Sequence, residues 1–504
     1  MSELPKGWAW ATVGDLAEYI NGFAFKPTDR SESGLPIIRI QNLTDPERPL
    51  HLTQRQVPDE YRVRTGDILV SWSATLDAFR WGRGEALVNQ HIFKVVPNSA
   101  VAHAPWLLHW LRVAIAQMQD TEHLHGSTMK HINRGPFLAH RVPVPPPKEQ
   151  LRIANALEDL LSELDAGVEE LKTAQAKLQR YRQSMLKAAV QGDLTADWRA
   201  ANPPAETGAE LLQRILAERR ARWEGAQRDK AEASGKALPP GWQAKYAAPA
   251  PALKGGQQQL PVGWIWATTE MTGDVLLGRQ RAPQYLTGRW TQRYLRVANI
   301  KDNRIDFSDV ESMDFDDAHF AKYRLVEGDI LVSEGQSPEL VGQSAIFRGY
   351  AEPLCFQKTL HRYRASPGVA LPEYAQLVFR ANVCTGVFRS LASITTNIAH
   401  LTLEKFEAAP FPLPPLAEQE VIVAVANAHL QVAGELDRAI ATALRQSAAQ
   451  RQNILRAAFA GQLVPQDPAD EPAQAVLARI RASRAEAKPP ARKRAAAARA
   501  VAQG

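Results

Sequence analysis

Two long stretches of the sequence carry the heptad pattern of apolar residues that is typical of a coiled coil. Residues 149 to about 190 contain no proline, and apolar or small residues recur there at alternating spacings of four and three. Residues 418 to about 460 repeat the pattern more weakly, because His429, Ser447 and Gln450 interrupt it. At about 1.5 Å per residue each helix is about 60 Å long, too long to be buried by one globular unit. We therefore predict that the two helices pack on each other. The predicted seam residues are Ile153, Leu157, Leu160, Leu164, Leu171, Leu178, Met185, Ile422, Val425, Val432, Leu436, Ile440 and Ile454.

The rest of the chain is an internal repeat. LPKGWAWAT at residues 4–12 recurs as LPVGWIWAT at 260–268, and YRVRTGDILVS at 61–71 recurs as YRLVEGDILVS at 323–333. The proline-rich VPVPPPKEQ and FPLPPLAEQ precede the two long helices, and SMLKAAVQGDL and NILRAAFAGQL end them. A repeated order of motifs over about 200 residues indicates two copies of one structural plan.

Each copy predicts a mixed α and β module followed by its helix. A Pro-Gly-Trp turn, several short strands and one helical stretch come before the proline run, which ends the module because proline interrupts a helix but suits its first turn. The fold class is therefore α+β, two mixed α/β modules separated by two long helices. The predicted boundaries are 1–148 (first module), 149–194 (first long helix), 195–259 (linker with a short amphipathic helix), 260–416 (second module), 417–464 (second long helix) and 465–504 (amphipathic helix and basic tail).

Composition narrows the class of protein without naming a function. The formal charge of +6, from 60 basic and 54 acidic residues, is too small to suggest nucleic-acid binding by itself. Two cysteines in 504 residues argue for a reducing compartment. Neither a signal-peptide pattern nor an apolar run of membrane-spanning length is present, so we expect a cytoplasmic protein without a membrane partner.

No catalytic motif is recognisable in the sequence. The chain lacks the GxxxxGK[ST] phosphate loop of ATPases. Asn202-Pro203-Pro204-Ala205 lacks the aromatic residue of an amino-methyltransferase motif, and the nuclease-like pair Glu170 and Lys172 lies within the heptad pattern. We therefore predict a binding protein with no metal site and no catalytic residues.

Taken twice and in order, these motifs resemble the DNA-specificity subunit of type I restriction-modification systems. The resemblance rests on the LPxGW openings, the GDILVS strands, the EQ helix starts and the LxAA-x2-G-x-L helix ends, and it spans nearly the whole chain. It implies two target-recognition domains of different DNA preference and an antiparallel coiled coil in a pseudo-two-fold repeat. It also implies a bacterial defence complex with two methyltransferase subunits and ATP-driven restriction subunits. S-adenosylmethionine, ATP and Mg would then bind those partners, and this chain would have no cofactor.

Such an architecture predicts how the target is organised. Two modules at opposite ends of a helical rod would face one double-stranded DNA and read a bipartite, asymmetric site, with the length of the rod setting the spacer.

Residues for base or phosphate contact are expected where the two copies differ or where polar loops recur. The segments after the GDILVS strands diverge, and a polar loop precedes each proline run. An arginine and an asparagine recur together in both copies, which favours a shared phosphate contact. The candidate DNA-binding residues are Arg39, Asn42, Arg80, Arg83, Ser127, Thr128, Lys130, His131, Arg134, Arg296, Asn299, Gln336, Ser337, Gln343, Thr396, Asn397 and His400.

Two other function classes stay open at this point. A twin-domain scaffold that binds protein would not give salt-sensitive, sequence-selective DNA binding. A fused DNA methyltransferase or nuclease would bind S-adenosylmethionine or nick DNA as the purified chain alone.

Overall fold

The computed structural model describes residues 3–119, 124–125, 131–250, 259–395 and 397–486. The chain divides into two compact units, residues 1–171 with 442–504 and residues 172–441. Each unit combines one globular module with a part of both long helices. The helices are thus shared between the units, whereas the sequence prediction treats each helix as a separate segment.

The first module is built on two four-stranded sheets. The antiparallel sheet has the order β2-β9-β6-β7, and the second sheet has the order β4-β3-β8-β5 with β3 and β8 parallel. β1 pairs with β12 and so closes the module. The elements are β1 Ala9–Thr12, α1 Val13–Leu16, β2 Ala17–Asn21, β3 Leu35–Ile38, α2 Ile40–Thr44, β4 His51–Thr53, β5 Arg62–Val63, β6 Ile68–Ser71, β7 Asp77–Arg80, β8 Ala86–Val88, β9 Ile92–Pro97, α3 Ala104–Gln119, β10 Leu124–His125, β11 His131–Ile132, α4 Arg134–Ala139 and β12 Arg141–Val144.

The first long helix, α5, spans Pro147–Gln191 and is followed by α6 (Ala196–Ala201) and α7 (Gly208–Ser234). α7 has 27 residues, so the helix in this segment is longer than the short one predicted. Thr207 accepts a hydrogen bond from the backbone N–H of Glu210 at its start, and Arg–Glu pairs four residues apart follow along its exposed side. Such caps and pairs extend a helix without a continuous apolar face.

The second module repeats the plan of the first. Its main sheet, β14-β23-β19-β21, has the same antiparallel order as β2-β9-β6-β7, and β13 pairs with β26 as β1 pairs with β12. The parallel pair β15 and β22 matches β3 and β8. The elements are β13 Ile265–Thr268, α8 Thr269–Thr272, β14 Gly273–Leu277, β15 Thr291–Leu295, β16 Ile300–Lys301, β17 Arg304–Ile305, β18 Glu311–Asp314, α9 Asp317–Tyr323, β19 Ile330–Ser333, β20 Gly335–Gln336, β21 Ser344–Ile346, β22 Cys355–Phe356, β23 Leu360–Ala365, α10 Pro372–Cys384, α11 Val387–Leu391, β24 Ser393–Thr395, β25 Ile398–His400, α12 Leu403–Glu407 and β26 Pro410–Leu413.

The repeated ILVS segments form the central strands of these sheets. All four residues of β6 and of β19 are buried, and each strand has a neighbour on both sides. The core of the first module surrounds Trp106 of α3, and that of the second surrounds Phe379 of α10. Apolar runs that include β-branched residues favour such central strands.

The second long helix, α13, spans Leu416–Phe459, and α14 (Ala473–Glu486) ends the described chain. In the second unit Gln175 of α5 donates to Asp437 of α13, while Tyr181 meets His429. The higher-numbered residue of α5 therefore meets the lower-numbered residue of α13, and the helices pack antiparallel. Among the described residues, no helix combines the length and the apolarity needed to cross a membrane.

The seam of α5 includes only part of the predicted set. Leu157, Leu164, Leu171, Leu178 and Met185 lie on the buried or half-buried side, as does Ile153. Leu160 is 38% exposed, whereas its neighbour Leu161 is buried, so the prediction for Leu160 is wrong. Both leucines satisfy an alternation of four and three from Leu157 to Leu164, and spacing alone does not distinguish them.

The seam of α13 departs further from the prediction. Ile422 and Ile454 are buried, and Val425 and Ile440 are half-buried. Val432 and Leu436 are 57% and 51% exposed, which contradicts their predicted place in the seam. Their neighbours Ala433 and Asp437 face α5 instead: Arg182 donates to the Ala433 carbonyl (3.0 Å) and pairs with Asp437. A small residue and an ion pair at these positions replace the larger apolar contacts.

The repeated Glu-Gln pair at the start of each long helix fastens the module to it. Glu149 accepts from the Trp8 indole (3.0 Å), and Glu418 accepts from the Trp264 indole (2.8 Å). Gln150 bonds the backbone of His103, Val101 and Pro145. Gln419 makes the same three bonds to Leu371, Val369 and Pro414. In both copies the Glu-Gln motif therefore attaches the globular module to the start of its long helix.

Candidate nucleic-acid interface

A basic cleft opens on the first module between the loop after β2, the start of α2 and the turn after β8. Its volume is about 470 Å³, and its wall contains no aspartate or glutamate. The lining residues are Phe25, Lys26, Pro27, Arg30, Ile37, Arg39, Ile40, Gln41, Thr44, His51, Ala74, Thr75, Asn89, Gln90 and His91. Cations and amide side chains together suit contact with phosphates and with base edges.

The loop after β2 is held rigidly beside this cleft. A Cβ atom at Gly22 would lie 2.2 Å from the carbonyl oxygen of Asn89, so only glycine permits the approach. Phe23 packs edge-on against Phe25, and the Arg55 guanidinium lies 4.8 Å from its ring centroid. These contacts fix the backbone from which the exposed Lys26 and Arg30 extend.

Arg39 supplies the central positive charge of the cleft. It is half-buried at the end of β3 and forms no ion pair within the described part of the chain. Burial lowers the pKa of His51, and the nearby Arg30 and Arg39 lower it further. The lowered pKa favours the neutral imidazole at pH 7, so the positive charge of the cleft comes mainly from Lys26, Arg30 and Arg39.

A strained loop completes the wall. Ala74 has a φ of +60°, an uncommon conformation for a residue with a side chain. The Ser71 hydroxyl donates to the Ser73 carbonyl (3.1 Å), and Trp72 donates to Asn21 and packs against His91. Strain of this kind is concentrated at ligand-binding sites.

The corresponding surface of the second module has different chemistry. Arg296, which matches Arg39 in the repeat, pairs with Asp309 and Glu311. Arg279 is buried, donates to the Asp314 carbonyl (2.7 Å) and lies 4.2 Å from the centroid of the Tyr285 ring. The positive charge at these two positions is therefore engaged within the module.

Comparison with known proteins identifies the family. Residues 5–173 and 293–444 match the model of the type I restriction modification DNA specificity domain. The chain belongs to that family. It is 22% identical to the EcoKI specificity subunit of Escherichia coli strain K12, over 96% of this chain and 97% of the relative. It is also 22% identical to the StySPI specificity subunit of Salmonella potsdam, over 96% of each.

A solved structure has the same fold. A chain from a study of complex assembly and conformational transition of the type I R-M system is 17% identical, with a TM-score of 0.61. The match covers 92% of this chain and all of that one. The family and the fold class predicted from the sequence are therefore confirmed, as is the role of a non-catalytic specificity subunit. Within the described ranges no cluster of three His, Cys, Asp or Glu residues is arranged to hold a metal ion.

Two predicted DNA contacts of this specificity subunit are structural residues. Asn42 is buried, accepts from the Arg39 backbone N–H (3.1 Å) and donates to the carbonyls of Arg48 and Pro49. Asn299 makes the equivalent bonds to Arg296, Asp306 and Asp309. Because both side chains are buried and both N–H donors of each amide are engaged inside the module, the predicted phosphate contact by Asn42 and Asn299 is wrong. They recur because the backbone turn recurs.

Of the other predicted residues of the first module, Arg80, Arg83 and Arg134 do not line the basic cleft. Arg80 lines a separate cavity of about 460 Å³ beside α3, α5 and α13. Arg83 donates to the Arg48 carbonyl, and Arg134 donates to the Tyr19 carbonyl (3.1 Å). Ser127, Thr128 and Lys130 lie outside the described residues, and only the backbone of His131 is described, in β11.

In the second module two predicted loops meet. Gly335 and Gln336 of β20 pair with His400 and Ala399 of β25, and His400 lies 3.3 Å from Glu334. Ser337 and Gln343 are half-buried in the turns on either side of Leu340, and Asn397 is exposed. Thr396 lies outside the described residues. Gln336 and His400 thus lie in paired strands, and contact of the predicted residues with DNA stays a prediction.

Sequence reasoning missed most of the cleft. The sequence does not predict Lys26, Arg30, Gln41, Asn89 or Gln90 as binding residues. A repeated signal marks them: Gly22 and Gly278 follow equivalent strands, and the short turns at residues 89–91 and 357–359 precede equivalent strands. The signal is weak because only the glycine is identical between the copies.

Proposed function

We propose that this specificity subunit reads a bipartite, asymmetric DNA target, one part with each module, for a type I restriction-modification complex. The observation that carries the proposal is a repeated backbone with unlike side chains. Arg39 lies open in a basic cleft, whereas Arg296 is paired within its module. Two modules with the same backbone and different side chains suit two different half-sites.

The long helices would then set the distance between the two half-sites. In each unit α5 and α13 run antiparallel, and ion pairs such as that between Arg182 and Asp437 fix their alignment. A rod of fixed register would keep the separation of the half-sites constant and so set the number of unread base pairs between them.

Chemistry on the DNA would belong to partner subunits. The methyltransferase subunits would bind S-adenosylmethionine, and the restriction subunits would use ATP and Mg. The named relatives are specificity subunits of restriction enzymes, which supports assembly with such partners. The chain described here would contribute selection of the sequence.

Selection from random duplexes tests the proposal. The complex of this chain with its methyltransferase partner is expected to enrich two short defined sequences separated by an undefined spacer of constant length. Binding should weaken steeply with salt, because basic residues displace counterions from phosphates. Enrichment of no sequence, or of a single undivided one, would contradict it. Nicking of DNA by the purified chain alone would instead favour a fused enzyme.

A further inference from the structure

The turn after β8 and the turn after β22 are held by the same backbone bonds. In the first module the Gly22 and Phe23 N–H groups donate across to β9 and β8, and the turn closes on itself. In the second module Gly278 and Arg279 do the same with β23 and β22. The bonds are Gly22 to Ile92 (3.0 Å), Phe23 to Val88 (2.8 Å), Ile92 to Asn89 (3.0 Å) and Asn89 to Ile38 (3.1 Å), matched by Gly278 to Leu360 (3.0 Å), Arg279 to Phe356 (3.2 Å), Leu360 to Gln357 (2.9 Å) and Gln357 to Leu295 (2.9 Å).

The backbone arrangement that holds each turn also requires a glycine. A Cβ atom at Gly22 or at Gly278 would lie 2.2 Å from the carbonyl oxygen of Asn89 or of Gln357, respectively. The two turns, residues 89–91 and 357–359, are therefore presented by a rigid frame. A rigid frame with exchangeable side chains is what selective readout of bases requires.

The side chains on the two frames differ in chemistry, because a glutamine amide both donates and accepts whereas a lysine ammonium only donates. Gln90 lines the basic cleft, and its Oε1 is buried and accepts no hydrogen bond from the described residues. Lys358 occupies the equivalent position and is exposed, with no ion pair in the described part of the chain. The neighbouring Gln357 is already engaged, because Thr359 donates to its Oε1 (3.0 Å).

An acceptor without a donor is costly inside a protein and points to a ligand that supplies one. A glutamine amide pairs with adenine, accepting from N6 and donating to N7, whereas a lysine ammonium donates to O6 and N7 of guanine.

We propose that Gln90 reads an adenine in the half-site of the first module and that Lys358 reads a guanine in the half-site of the second. The proposal rests on the proposed function, since it names the base that each module selects. It assigns the readout to two positions that share one backbone frame.

Exchange of the two side chains tests the assignment. The complex with the methyltransferase partner is presented with random duplexes, and the enriched sequences of the wild type, Gln90→Lys and Lys358→Gln are compared. Gln90→Lys is expected to change one adenine to guanine in one half-site, and Lys358→Gln one guanine to adenine in the other. The preference at that position should change roughly 5- to 150-fold.

Gln54→Lys is the matched control, because Gln54 is exposed on the same module and does not line the cleft. It should leave every base preference unchanged. Lys358 is exposed, so its exchange leaves the fold intact and tests the proposal even where Gln90→Lys does not fold.

The outcomes separate the two proposals. A wild-type complex that selects no sequence overturns the proposed function. A wild-type complex that selects a bipartite site, with Lys358→Gln leaving that site unchanged, overturns the assignment of the turns alone. A change at several positions in both half-sites also overturns it, because a single contact affects a single base pair.

Discussion

Arg39 and Arg296 occupy the same position in the two modules and have different surroundings. Each precedes a turn that an asparagine closes, Asn42 or Asn299. Arg39 faces a cleft without acidic residues, while Arg296 is paired with Asp309 and Glu311. The asparagine maintains the shared backbone, and the arginine is free to differ. Repetition in the sequence therefore identifies residues that maintain the shared backbone better than it identifies residues that contact DNA.

The largest effect is expected where the modules are alike. Asn42→Ala and Asn299→Ala each leave one N–H and two carbonyl groups without their partner. Each should lower the free energy of unfolding by about 3 kcal/mol, since each unsatisfied buried group costs about 1 kcal/mol or more. Urea unfolding of the full chain measures this. A loss in only one variant would break the equivalence of the two turns.

The Glu-Gln attachments at the starts of the two long helices should differ from each other in stability more than the two asparagine turns do. Glu418 accepts from Trp264 and Thr195 and pairs with Arg199 at 2.7 Å, whereas among the described residues only Trp8 donates to the carboxylate of Glu149. Glu418→Gln leaves a largely buried arginine without its counter-charge and should cost about 3 kcal/mol. Glu149→Gln still accepts from Trp8 and should cost less than about 1 kcal/mol. Equal losses in urea unfolding would refute the distinction.

The buried carboxyl group of Glu149 also predicts that the stability of the protein depends on pH. Burial raises the pKa of Glu149 above its ordinary value of 4.5, while Trp8 and Arg152 oppose the shift. The folded state then holds the proton more tightly than the unfolded state, so this stabilisation is present below pH 4.5 and lost as the pH rises through the folded pKa. The stability of the wild type relative to Glu149→Gln should fall from pH 4 to pH 7. A difference that rises with pH would show that the carboxylate is favoured by folding.

Substitution of Arg39 should change DNA binding rather than stability. Arg39→Ala is expected to weaken DNA binding by the assembled complex about tenfold at 0.1 M salt and to reduce the slope of log K against log salt by about 1. Arg296→Ala should leave that slope unchanged, because its charge is already neutralised. Equal slopes for the two variants would mean that the cleft around Arg39 does not contact phosphate.

The sequence predicts what repeats and misses what depends on packing. The two copies follow from the repeated motifs, and the pairing of the long helices follows from heptad spacing and helix length. The resemblance to the family adds that the helices pack antiparallel. The choice between Leu160 and Leu161 does not follow from the sequence, because both satisfy the spacing. On α13 the larger residues Val432 and Leu436 face outward, because Ala433 and Asp437 receive Arg182 of α5. A periodicity of apolar residues carries no information about such a polar contact.

The candidate site was only partly visible for a related reason. Asn42 and Asn299 recur in the sequence, yet their recurrence reflects the bonds of a turn. Gln90 and Lys358 share a backbone frame but not a residue type, so the repeat in the sequence does not mark them. Residues that read different bases would differ between the copies, and comparison of the copies would find them only after the frame is known.

Lengthening the rod tests the central claim most directly. One heptad inserted after Leu171 and another after Ile440 would keep both seams in phase and add about 10 Å at 1.5 Å per residue. Selection of random duplexes by the complex should then return the same two half-sites with a spacer longer by up to about three base pairs, at 3.4 Å each. Unchanged half-sites with an unchanged spacer would contradict the account.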